Sequence, residues 1–150
     1  MRSVLSSVVV LFTFISFGQK GDLQTVQAFW DNNIQEIVRL DKVKIIEHTH
    51  FPVDGSWGYA VDYNLDPADW TDELFKDNLD KIFDESLRAV LKGMDYNQLV
   101  HHRDENGALN FMIQLFFETE IDGTKLESST ILFFKCYNEI WKLYKIEYIG

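Results

Sequence analysis

The sequence predicts an α+β fold: N-terminal helices packed on a curved antiparallel sheet. Three observations carry this reading. Leu109, Phe111, Ile113, Leu115 and Phe117 fall on every second residue, the spacing that gives a strand one apolar face. Asp122-Gly123 then separates that run from a second apolar run, and Asp-Gly tolerates the positive φ of a tight hairpin. Far upstream, Leu23, Val26, Phe29, Trp30, Ile34, Ile37, Val38 and Leu40 recur at three- and four-residue steps, an apolar helical stripe.

In chain order, Asp22 opens this first helix. Asp41 is an expected N-cap for a shorter second helix, buried through Val43, Ile45 and Ile46. Phe51-Pro52 stops it, because a residue preceding proline disfavours the α region. Asp54-Gly55 reads as a turn. Trp57, Tyr59, Val61 and Tyr63 alternate with Gly58, Ala60, Asp62 and Asn64, so a strand is predicted over 57–63. A further helix begins at Thr71, with Asp72 and Glu73 favourable at its positive end. Trp70 and Phe75 stand at the two positions of a hydrophobic staple. Its stripe runs through Phe75, Leu79, Ile82, Phe83, Leu87, Val90 and Leu91 to a stop at Gly93. A short helix or strand is expected around Gln98–His102.

The second sheet run, Thr130–Tyr137, is apolar on both faces and is expected to lie inside the sheet. A short turn at Asn138-Glu139 leads to the last strand, Ile140–Ile149. Trp141, Leu143 and Ile146 can share a face only across a bulge near Tyr144-Lys145.

The first 18 residues have one positive charge, an apolar run and small residues at Ser16 and Gly18, the pattern of a cleaved signal peptide. Cleavage is expected near Gly18-Gln19, delivering an exported (periplasmic or secreted) protein with a single domain over 19–150. The apolar run is shorter than the roughly 20 residues of a membrane span, and no later stretch offers one. The sole cysteine, Cys136, lies far from the apolar run, so a lipoprotein is not expected. One cysteine forms no internal disulfide, and the domain must rely on its core. The net charge of −10 argues against nucleic-acid binding, which needs clustered Lys and Arg.

The long first helix with Phe29 to Ile34, the Asp41 to Phe51-Pro52 segment, the Thr71 to Phe75 helix start and the strand pair ending in Trp141-Lys142-Leu143 and Ile146 together resemble the cystatin-like/NTF2-like superfamily, in particular its small exported members. The resemblance covers most of residues 22–149 and rests on packing features. It implies a helix lying in a curved sheet, with a cone between them that can hold a small ligand. Its members include isomerases and dehydratases as well as binding modules, and a shared fold does not choose between them.

The candidate residues follow. His48 and His50 are a polar helix end, since a metal site needs three or four convergent ligands and no His-Glu-x-x-His pattern exists. His101-His102-Arg103-Asp104 reads as a solvated connection. Asp62 beside Trp57, Tyr59 and Tyr63 could serve as a buried base, but an exposed edge position suits its composition better. There is no Gly-x-Ser-x-Gly motif and no phosphate loop. No catalytic residue, metal or cofactor is therefore assigned. The expected ligand contacts are Trp57, Tyr59, Asp62, Tyr63 and His48, for a small apolar ligand. Phe116, Phe134, Tyr144 and Tyr148 are expected on the second sheet face as a partner surface, with a homodimer as one outcome. The function expected is an exported, non-catalytic binding module. The alternatives are a cone-pocket enzyme of isomerase, dehydratase or hydrolase type using a buried carboxylate or His, and an acidic inhibitor or immunity-type protein.

Overall fold

The computed structural model describes residues 27–95, 97, 99–103 and 109–150. The expected signal peptide lies outside them. The fold is α+β, with a helical layer on one face of a five-stranded sheet.

Helix α1 spans residues 27–39, with π geometry at Trp30–Ile34 and α geometry at Gln35–Arg39. The wider π turn matters for packing. Residues five apart stand about 140° apart on an α-helix, and widening the turn brings Ile34 back beneath Phe29. Phe29, Trp30, Ile34 and Ile37 are all buried. Leu40, left-handed at φ 54°, ends the helix. Asp41 then caps α2 (Lys42–Glu47), its carboxylate accepting from the Lys44 N–H as expected.

The chain next forms β1 (Thr49–Gly55), which the sequence reading treated as a helix end and a turn. Pro52 has no N–H to donate, so an edge strand is where it can stand, and the register breaks between Thr49 and Asp54 around it. The strand expected over 57–63 does not form. Trp57–Ala60 is a 3₁₀ turn. Trp57 turns inward, donates from Nε1 to the Val53 carbonyl at 2.9 Å and packs edge-on against Phe75. Gly58 makes this possible. A Cβ there would lie 2.1 Å from the Trp70 ring, which rests directly on the turn.

The single helix expected from Thr71 to Gly93 is three: α3 (Asp72–Asp77), α4 (Leu79–Ile82) and α5 (Glu85–Gly93). Thr71 caps α3 as predicted. Asn78 interrupts the run by donating its side-chain amide to Leu74 O, and Asp84 restarts it by accepting from the Leu87 N–H. The stripe survives both breaks, because Phe75, Leu79, Ile82, Phe83, Leu87 and Leu91 are all buried.

Strand β2 (Val100–Arg103) pairs with β3 (Leu109–Ile121), which pairs with β4 (Thr124–Tyr137), then β5 (Ile140–Ile149). Asp122 and Gly123 both take positive φ in the first turn, as do Asn138 and Glu139 in the second. The sheet order is β1-β5-β4-β3-β2, antiparallel except where β1 runs parallel to β5. The sheet is thus mixed, a departure from the all-antiparallel expectation. The bulge falls where expected: Phe133 pairs with Lys145 and Phe134 with Leu143, leaving Tyr144 as the extra residue. Trp141, Leu143 and Ile146 therefore share the helix-facing side with Phe111, Ile113, Leu115, Leu132 and Phe134.

Candidate functional site

The helix-facing side of the sheet has two ends. At one, α1 seals the surface. The Phe29 ring stacks on Phe111 at 5.3 Å and meets Phe134 at 4.8 Å and Trp141 at 5.7 Å. At the other end the strands run on past buried Thr130 and partly buried Phe117 and Tyr148 to exposed Thr119 and Ser128. Here lies an open cleft of about 380 Å³. Its far wall is the Trp57–Ala60 turn with Tyr59 and Tyr63, and α4–α5 with Lys81, Ile82, Asp84, Ser86 and Leu87.

Each wall has a local cause. Tyr59 is held edge-on against Trp70 at 5.0 Å, and Tyr63 stacks on Tyr59 at 5.4 Å with 25° between the rings. Tyr63 is 79% exposed, a large ring standing at the cleft edge with one face open. Tyr148 crosses the floor and donates its hydroxyl to Ile82 O at 3.1 Å, tying β5 to α4. Burial, with Asp84 nearby, pushes that phenol well above its ordinary range. Asp84 accepts from the start of α5, so the cleft's one carboxylate is engaged as a cap.

A second polar feature lies at the sealed end. His48, at the C-terminus of α2, brings Nδ1 to 2.7 Å from Glu36 Oε2 on α1. Glu36 is buried, although it is not one of the apolar stripe residues of α1. Twelve residues separate the partners, and no local pattern links them. The void beside them, lined by Asn33, Glu36, Ile37, Ile45, His48, Thr49, Phe134 and Leu143, is about 10 Å³. That is room for a single water.

The expected ligand contacts thus divide. Tyr59 and Tyr63 line the cleft. Trp57 is 2% exposed and belongs to the core. Asp62 is exposed and accepts from the Asn64 N–H in a turn of its own. His48 faces Glu36, away from the cleft. The cleft residues that the sequence reading missed, Phe117, Thr119, Ser128 and Thr130, come from strand ends whose shared face is set by register alone.

The expected partner surface also divides. Phe116 is 70% exposed on the open face of the sheet, and Tyr144 packs beside Phe133 there. Phe134 and Tyr148 are on the helix-facing side instead. Phe134 lies opposite Phe111, and Tyr148 comes after the bulge in phase with Ile146. The histidine pairs stand apart as well: His50 is on β1 and His101-His102 on β2, at opposite edges of the sheet. His50 stacks on Tyr137 at 4.2 Å. Among the described residues, no three His, Cys, Asp or Glu side chains converge as metal ligands, and no helix is long and apolar enough to cross a membrane. Comparison with protein-family models, curated proteins and solved structures returned no match.

Proposed function

We propose that this chain is an exported, non-catalytic binding module whose ligand seat is the cleft between Tyr59–Tyr63 and the Phe117/Ser128/Tyr148 end of the sheet. The observation that carries the reading is the stacked Tyr59–Tyr63 pair beside an open volume of ligand size. Small-molecule sites run from about 300 to 1,000 Å³, and this cleft falls at their lower end. No free titratable pair converges in it, since Asp84 is committed to its helix. The enzyme reading would rest on Glu36 and His48. A void of one water beside that pair leaves no place for a substrate, which favours binding over catalysis. The reading includes an NTF2-like relationship, supported by the way α1 lies over Phe111, Phe134 and Trp141.

The test is a fragment screen by ¹H–¹⁵N correlation spectra. Hits should shift the amides of Tyr59–Tyr63, Phe117–Thr119 and Ser128–Thr130. Hits confined to the Glu36–His48 region, or none, would count against it. A homodimer through the open sheet face is a second use of the molecule, favoured by the exposure of Phe116. Light scattering should then show a doubled mass that Phe116→Asp halves.

A further inference from the structure

The chemistry of the cleft narrows what it holds. Its apolar lining comes from Phe117, Ile82 and Leu87, and its edge is the exposed ring of Tyr63. Exposed hydroxyls line it as well: Ser86 from α5, Thr119 from β3 and Ser128 from β4. The cleft's charges are one Lys81 and one Asp84, so it is balanced within a chain of net charge −10. We infer that the ligand is a small neutral carbohydrate, with a sugar ring lying on the open face of Tyr63 and its hydroxyls meeting Ser86, Thr119 and Ser128. The inference rests on the proposed use of the cleft as a binding site.

Competing ligand classes fit less well, for physical reasons. An apolar ligand, expected from the wealth of aromatic residues, would strip water from those hydroxyls and give nothing back. Each polar group desolvated without a partner weakens binding, which is how a polar site rejects an apolar analogue. An anionic ligand would meet a single lysine inside an acidic protein. A pyranose has one face of C–H groups and a rim of donors and acceptors, which matches an exposed aromatic ring in a cleft that also presents hydroxyls.

The experiment is a titration of the ¹⁵N-labelled chain, residues 19–150, with maltose, cellobiose and N,N′-diacetylchitobiose, and separately with dodecanoate. At least one disaccharide should shift the amides of Tyr59–Tyr63, Phe117–Thr119 and Ser128–Thr130 in a saturable way. Tyr63→Ala should weaken that binding about tenfold with the melting temperature unchanged. Phe116→Ala, on the opposite face, should leave it intact. Two outcomes overturn the inference and are distinguishable. If dodecanoate alone saturates the same amides, the cleft is a binding site but its ligand is not a carbohydrate. If neither class moves them, the inference and the proposed use of the cleft both fail.

Discussion

The two ends of one sheet face are built from the same strands and end differently. Near Phe111, Phe134 and Trp141 the face is dominated by aromatic and aliphatic side chains, and α1 covers them. Six to eight residues along β4 and β3, the same face carries exposed Ser128 and Thr119, and the covering layer pulls back. Apolar area attracts a helix because burying one large side chain contributes about 1.5–3 kcal/mol. Hydroxyls offer no such return and cost stability if covered without partners. The change of side-chain chemistry along the strands therefore decides where the core stops and the cleft begins.

The contrast can be tested most severely at its sealed end. Phe134→Ala should cost about 3–5 kcal/mol in urea unfolding, as a cavity opens beneath Phe29. Ser128→Ala, on the same strand and face but exposed, should cost about 0.5 kcal/mol or less. Equal losses would mean that the two ends are not energetically distinct. Next in size is Glu36→Ala at about 1–3 kcal/mol, since it strands the His48 ring in a half-buried site. A double-mutant cycle with His48→Ala should recover most of that as coupling. Gly58→Ala should cost a comparable 1–3 kcal/mol or so, by pushing Trp70 off the turn that builds the cleft wall.

Tyr148, at the boundary, gives a smaller and pH-dependent effect. Its phenol is held above the ordinary value of 10.0 by burial. The unfolded phenol ionises first as pH rises, so the stabilisation is complete below pH 10 and lost progressively above it. Tyr148→Phe should cost about 1 kcal/mol at neutral pH through the lost bond to Ile82 O. It should also flatten the fall of stability in alkali. An unchanged alkaline slope would show that Tyr148 is not the responsible group. Smallest of all, Tyr63→Ala should shift stability by less than about 0.5 kcal/mol, because its ring is exposed, while still weakening ligand binding.

The sheet was legible because its signals are local. Period-two alternation named β3, Asp122-Gly123 named the hairpin, and the need to put Trp141, Leu143 and Ile146 on one side located the bulge. The error over 57–63 was one of competition. Alternating aromatics resemble a strand, but the contact of Trp70 with Gly58 and the pairing of β1 with β5 some 90 residues away are tertiary and leave no local trace. Phe134 was more accessible than it looked. The run Thr130–Tyr137 is apolar on both faces and gives no parity of its own. Counting back from a two-residue turn nonetheless sets Phe134 opposite Phe111 and buries it. Of the cleft, Tyr59 and Tyr63 were readable as clustered aromatics, whereas the hydroxyl side required the register first.

The parallel neighbour of β5 has a consequence for the order of assembly. Among the described residues, β1 sits at the sheet edge with β5 as its one strand neighbour. Its pairing of Thr49 with Leu143, and the adjoining bond from the Leu143 N–H to His48 O, bridge nearly a hundred residues. Pairings of such sequence separation form late, because the loop must close before the contact rewards it. During N-to-C synthesis, the β3–β4 hairpin can form while β1 waits without a strand partner. Completion of the sheet, and with it the docking of Trp57 that supports the cleft wall, is deferred until the final strand is in place.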